Sequence, residues 1–481
     1  MKNIFILTVI FSLVVFSCEE TLEEINVNTN NPSEVNPGVL LPSAIVEPAD
    51  EFVNVFDWMT DNLMQYSSGA FGVGNEVGRY DFNLEILTDI DPWNIIYSSF
   101  SDLNDIEQSA VQIDQPAYQA AAKILRSVYA AGLSELFTNV PYFEAGKGAE
   151  GITQPVYDSQ EAIYLNIIDE LKMANSLLDE SAAFTLGGDV LYNGDVIKWK
   201  KLANSLRLRY LLRISNITSV NAAQEINQIF SSPETYPIFE SNDDQGVYDF
   251  TGEFPNITDV ANGRLPEFSY LSEFFVMTFS IFNDPRLDFF GSLPTNPNIN
   301  EHVGLPAGLS EEEASSYNGD VTENVSRVTL RFQAEDQGLY DYAFMTYAEL
   351  QFILAEAALE GWITSDPQFH YEAGIQANFD YWRIDLPTDY FTRQGVAWQN
   401  DLEQIMNQKW LASYKLNTVE IWAEYKRTGL PNLSAGPNAV INTVPTRIRY
   451  PLIEQSVNPS SYQSAISAIG GDILDVSLWY Q

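Results

Sequence analysis

Residues 120–145 read AAAKILRSVYAAGLSELFTNVPYFEA. Ala121, Ile124, Leu125, Val128, Leu133 and Leu136 recur at intervals of three or four, the spacing that lines one face of an α-helix. Asn139, Val140 and Pro141 then break the pattern, because proline lacks an amide hydrogen and restricts the residue before it. The spacing predicts a helix over 117–137. The same period recurs over 159–178, where Asp158 or Ser159 is the N-cap and Ile163, Ile167, Leu171 and Leu178 share a face. Over 195–214, Trp199, Leu202, Leu206, Tyr210 and Ile214 form one face, with Lys198, Lys201, Arg207, Arg209 and Arg213 elsewhere. Further helices are expected at 342–359, apolar almost all round and therefore central, at 371–382, and at 402–427, closed by Gly429 and Pro431. Such a succession predicts a mostly α chain of antiparallel helix pairs, as a solenoid or bundle, although no repeat period is visible.

Two stretches have another texture. Residues 66–98 and 233–340 are dense in Gly, Asn, Asp and Pro, as in YSSGAFGVGNEVGRYDF (66–82) and FESNDDQGVYDFTGEFPNITDVANG (239–263). A structureless loop of that length is rare in a compact domain, so the second is expected to be a subregion of loops and short elements on the helical scaffold. Aromatic residues crowd both: Tyr66, Phe71, Tyr80, Phe82 and Trp93 in the first, Tyr248, Phe250, Phe254, Phe268 and Tyr270 in the second. Flat rings suit stacking on the apolar face of a sugar, and Arg79, Asp81, Asn83 and Asn94 beside them suit hydroxyls. Ordinary core packing is the alternative for each ring.

The N-terminus reads as an export signal. Ile4–Phe16 is apolar except for Thr8 and Ser12, and is shorter than the roughly 20 residues a spanning helix needs. Ser17 precedes Cys18, the only cysteine of 481 residues, and Glu19, Glu20, Glu23 and Glu24 follow. Residues 1–17 are thus expected to be a lipoprotein signal peptide, Cys18 the lipid-attachment site and 18–37 a flexible tether. The formal net charge of -42 makes nucleic acid and anionic head groups poor partners.

Catalytic signals are weak. The two histidines, His302 and His370, have no second His or Cys at ligand spacing, so no metal site is expected. A serine triad would need one of them as its base. No phosphate loop and no GxSxG occurs. The 66 acids make a glycosidase-like carboxylate pair attainable by chance alone. DIDPWN (89–94) and SNDDQG (241–246) offer oxygen ligands for a structural calcium, without EF-hand spacing; no other cofactor is indicated.

The order of motifs resembles the SusD/RagB family of nutrient-binding outer-membrane lipoproteins. The matching stretches are NVNTNNPSEVNPGVLLPSAI (26–45), WNIIYSSFSDLNDIE (93–107), 120–145, IKWKKLANSLRLRYLLRIS (197–215), NDPRLDFF (283–290), YAELQFILAEAALEGW (347–362), IMNQKWLASYKLNTVEIWAEYKRTGLPNL (405–433) and VPTRIRYPLIEQSVNPSSY (444–462). The resemblance implies a tetratricopeptide-like helix-pair scaffold over 38–481, with an irregular, loop-rich capping region at roughly 233–340. It implies a protein lipid-anchored at the cell outer membrane, facing outward, that acts as the lid of a TonB-dependent SusC-like transporter, binds a nutrient such as a glycan, and is not an enzyme. The family's ligand aromatics lie in variable loops with no motif, so the resemblance matches only Trp93 to them; with the loop residues read above, the expected ligand-binding set is Trp93, Asn94, Tyr66, Phe71, Arg79, Tyr80, Phe254 and Tyr270. Trp199, Arg207, Asn283, Pro285, Arg286, Trp410, Arg427 and Tyr450 are expected to pack and pair. A surface glycoside hydrolase and an adhesive surface lipoprotein are the alternatives.

Overall fold

The computed structural model describes residues 36–55, 59–82, 92–178, 186–250, 269–329 and 341–481. The expected leader, Cys18 and most of the tether lie outside them. The first helix begins at Pro37, the last residue of the expected tether. The scaffold helices are α1 (Pro37–Val55), α2 (Pro92–Gln112), α3 (Pro116–Phe137), α4 (Gln160–Leu177), α5 (Val196–Arg213) and α6 (Ala222–Ser231). After the stretch expected to form the cap come α8 (Tyr347–Leu359), α9 (Pro367–Tyr381), α10 (Leu402–Ser413), α11 (Thr418–Thr428) and α12 (Pro459–Ile469), while α7 (Glu273–Phe282) lies within that stretch. From α2 to α6 each helix packs on the next, and α8, α9 and α10 do the same. The chain is a mostly helical array of adjacent pairs.

Local chemistry explains the boundaries. Ser159 caps α4 by accepting from the Ala162 amide, and Asp195 caps α5 by accepting from Ile197 and Lys198. Two helical glycines mark close crossings: a Cβ on Gly132 would stand 2.6 Å from the Phe52 ring, and one on Gly374 would stand 2.9 Å from the Phe352 ring. Alanine at either position would push apart α1 from α3, or α8 from α9.

Two expectations are corrected. The 342–359 segment is a strand, Asp341–Met345, followed by α8, because Thr346 accepts from the Glu349 amide and starts the helix there. The 402–427 segment is two helices, broken at Lys415 (φ 60°), with Asn417 capping α11 through the Glu420 amide. Among its described residues, the stretch from 233 to 340 holds short strands and helices joined by loops. Strands β1 (Ser67–Gly69), β3 (Ser269–Leu271), β5 (Arg327–Val328) and β4 (Gly291–Ser292) form one sheet in the order β1-β3-β5-β4, and β2 (Gly246–Asp249) pairs with β6 (Asp341–Met345).

The scaffold closes around a buried set of charges. Arg209 of α5 makes two bonds of 2.6 Å to Glu349 of α8 and faces Glu420 of α11 at 3.7 Å. Arg213, with no side-chain exposure, meets Glu135 of α3 at 3.1 Å, Glu424 at 2.8 Å, and Glu420. Lys426 reaches Glu135 at 2.5 Å, Lys409 of α10 reaches Glu424 at 3.3 Å, and Arg427 joins Glu424 and Glu356 at 2.7 Å each. Tyr164 and Tyr480 also donate to Glu135. Replacing Arg213 with Ala takes one buried cation from three carboxylates at once, and is expected to lower unfolding stability by about 3–5 kcal/mol. Urea unfolding checks this; a loss near zero would mean that the network does not hold the helices.

Candidate functional site

The two loop-rich stretches meet. In the β1–β3 pairing Ser67 lies opposite Leu271, Ser68 opposite Tyr270 and Gly69 opposite Ser269. Around this sheet a small apolar cluster of Ala70, Tyr270, Leu305, Ala314, Val321 and Val325 is separate from the main core. Phe71 and Tyr317 are half-buried against it. The short helix Gly72–Gly78 follows, and at its end Arg79 donates from Nε to Asn75 Oδ1 at 3.0 Å. Asn75 in turn donates to the carbonyls of Gly69 and Leu309, so the Arg79 platform is held from two sides. Asp81 stands 4.0 Å from Arg79, and both side chains reach solvent.

The expected ligand residues divide. Tyr66, Phe71, Arg79, Tyr80 and Tyr270 belong to this one region, whereas Trp93 and Asn94 lie at the start of α2. Phe254 lies outside the described residues. Tyr66 is fully buried, stacked on Trp410 with centroids 4.6 Å apart, and donates its hydroxyl to the Trp410 carbonyl at 2.6 Å. Burial, then the nearby Asp61, push its phenol well above the usual value. Tyr80 is also buried, which pushes its phenol up to about 12. Tyr270 is buried under the Arg327 guanidinium, 5.3 Å from its ring. Trp93 is 5% exposed and enclosed by Tyr97, Phe137, Tyr157 and Tyr450, with ring centroids 4.9–5.9 Å away. In this structure these four rings pack against protein; Phe71, Arg79 and Asn94 reach the surface. Tyr317 was not among the expected residues, and its setting in SSYNGD (315–320) carries the same loop-aromatic signal as the others. Burial, with help from the charge of Glu273, raises its phenol.

The histidines can be tested for nucleophilic chemistry. His302 is bonded through Nδ1 to Ser326 Oγ at 3.2 Å and through Nε2 to Asp288 at 2.9 Å. The residue types are those of a triad, but the burial is reversed. Ser326 is fully buried and accepts from the Val303 amide, while the Asp288 carboxylate is 84% exposed. A triad needs the serine open to substrate and the aspartate shielded. His370 bonds Ser365 through Nε2 and Gln351 through Nδ1, and burial holds it down at about 4. Among the described residues no carboxylate is hydrogen-bonded to its ring. Glu420 and Glu424 are a carboxylate pair driven apart, the first raised mainly by burial, the second held well below the usual range mainly by Arg427 and Lys409. Both are locked inside the scaffold, where no polysaccharide reaches them. In SNDDQG, Asp244 is committed to Lys201 at 2.9 Å and to the Glu240 amide. Among the described residues no group of three or more His, Cys, Asp or Glu side chains is arranged to hold a metal ion, and no helix is long and apolar enough to cross a membrane.

The chain is thus a helix-pair scaffold with a cap that presents aromatic and polar side chains. The family model described as starch-binding, associating with outer membrane, matches residues 29–451, and the chain belongs to this SusD-like family. Solved structures share the fold. A chitin-binding protein is 24% identical with a TM-score of 0.78, covering 92% of this chain and 99% of its own. A SusD homologue from Bacteroides fragilis is 24% identical with a TM-score of 0.78, covering 93% and 99%. A chitin-binding SusD homologue from Flavobacterium johnsoniae is 22% identical with a TM-score of 0.76, covering 92% and 97%. A search of curated proteins finds no match.

The burial of Trp93 has a direct consequence. Trp93→Ala is expected to cost about 3–5 kcal/mol of stability, as for a core aromatic. Denaturant unfolding reads this, and an unchanged midpoint would return Trp93 to the list of surface residues.

Proposed function

We propose that the protein is a non-catalytic, surface-exposed lipoprotein that binds a glycan on its capping region and delivers it, as a lid, to a TonB-dependent SusC-like transporter of the outer membrane. The observation that carries the reading is that Phe71 and Tyr317 pack, half-buried, against one small apolar cluster around the cap sheet, with Arg79 fixed by Asn75 at the end of the short helix that follows Phe71. Two half-buried rings offer apolar faces, and the guanidinium offers donors to hydroxyls. The family description and the chitin-binding titles of two structural neighbours support a carbohydrate ligand. The net charge of -42 favours a neutral glycan over an acidic one.

For the transporter, support comes from an uncovered apolar face. Phe143, Val156, Leu452, Ile453 and Val457 are each 42–51% exposed. Their two turns are tied together by Gln154 donating to the Val457 carbonyl and Asn458 to the Pro155 carbonyl, both at 2.8 Å. Exposed apolar side chains held on neighbouring turns in this way are surface that a protein partner can cover. For the anchor, the leader-like residues 1–17 and Cys18 support acylation.

Phe71→Ala and Tyr317→Ala are each expected to weaken retention on a neutral polysaccharide about three- to tenfold, the worth of one stacked ring, with Tm unchanged. Affinity electrophoresis measures it. Full retention in both variants would remove this rim from the site, and turnover of any retained glycan would overturn the non-catalytic reading. Cys18→Ser is expected to move the protein from the membrane fraction to the soluble fraction, as read by fractionation of cells.

A further inference from the structure

The capping region is an insertion with a neck. β2 carries the chain out of the scaffold and β6 brings it back, paired antiparallel. Their last pair sets Asp249 directly opposite Asp341, followed by Tyr248 opposite Tyr342 and Val247 opposite Ala343. Side chains directly opposite in such a pair stand about 5 Å apart at Cβ, where two like charges destabilise the ladder.

The two carboxyls differ in setting. Asp249 is exposed. Asp341 is partly buried and accepts the hydroxyl of Tyr381, at the end of α9, on Oδ2, while its Oδ1 is buried with no hydrogen-bond partner among the described residues. Among the described residues, the charged or titratable groups acting on Asp341 are Asp249 from β2 and Tyr381 from α9; Arg383, just beyond α9, acts on the Tyr381 phenol.

We propose that the Asp249–Asp341 pair is a proton-operated latch at the neck of the capping region: the strand ends close when Asp341 holds a proton and loosen when it loses one. The inference does not rest on the identity of the ligand. Burial, and then the charge of Asp249, raise Asp341 from 3.8 to about 7, which puts the switch near neutrality. A carboxyl raised in the folded state stabilises fully below its unfolded value, and that contribution fades as pH climbs through about 7. His370 works in the opposite sense. Burial lowers it from 6.5 to about 4, so its contribution is lost as pH falls through that range. Global unfolding mixes the two effects, and the readout must therefore be local.

Hydrogen exchange on the mature chain supplies it, with protection at Tyr248–Phe250 and Asp341–Ala343 measured across neutrality and corrected for the intrinsic pH dependence. Wild-type protection is expected to drop as pH rises through about 7. Asp341→Asn should flatten the profile. Asp249→Asn, at an exposed position, should move the midpoint down by removing the repelling charge, and Tyr381→Phe should move it up by removing a hydrogen bond to the carboxylate. A wild-type profile with no step across neutrality would overturn the latch. If Asp341→Asn does not fold, an unmoved midpoint in Asp249→Asn would overturn it equally.

Discussion

Five buried cations, Arg209, Arg213, Lys409, Lys426 and Arg427, meet five carboxylates, Glu135, Glu349, Glu356, Glu420 and Glu424, in one connected network. The set is neutral although the chain is strongly acidic. Its members come from α3, α5, α8, α10 and α11, so the helices on both sides of the capping insertion are bound into one assembly. Buried ion pairs often add little net stability, because desolvation offsets their attraction. What they impose is register. Arg209 and Arg427 each grip a glutamate with two nitrogens, and a helix that slid by one turn would leave charges without partners in the interior. A cavity of about 20 Å³ beside Glu135, Arg209 and Glu420 has room for one water, which suits so polar a lining.

Trp410 carries that order outward to the cap. Its indole donates to the Met64 carbonyl at 2.9 Å, its own carbonyl receives the Tyr66 hydroxyl, and the two rings stack at 6°. Phe274 and Phe275 of α7 close on the same ring at 5.2 and 5.9 Å. β1 and α7 are therefore seated on a side chain of α10, one residue from Lys409 of the network. This part of the cap thus takes its rigidity from the scaffold, while Phe71 and Tyr317 at its rim reach solvent.

The scaffold was largely legible in the sequence. Helices α3, α4 and α5 start and stop within a residue of their periodic segments, because caps and a proline are local signals. The errors came where a distant partner decides. Asp341–Met345 is apolar enough for a helix, and it is a strand because β2 lies beside it. Arg209 and Arg213 fall off the apolar face of α5, yet both are buried, since glutamates from α3, α8 and α11 await them; Arg207, expected to pack and pair, is buried against Glu225 of α6. The site was harder to read for the same reason. An aromatic residue in a Gly- and Asn-rich stretch looks alike whether it stacks on a ligand or on protein. Trp93 is covered by Tyr450, and Tyr66 by Trp410, residues far off in sequence.

The placement of the cap as an insertion has a physical consequence. β2 and β6 pair with each other, Tyr342 stacks on Phe52 of α1 at 5.5 Å, and α8 begins at once after Met345, so the scaffold completes its own contacts at the neck. Changes in the rim at Phe71, Arg79 or Tyr317 leave every member of the charge network untouched. Binding chemistry can then vary without disturbing helix register, while a change at Arg213 or Glu424 affects the whole assembly. A surface that must hold a ligand and release it can tolerate weak, exposed contacts only if its geometry is supplied from elsewhere. Here the buried charges supply it, and Trp410 transmits it to the cap.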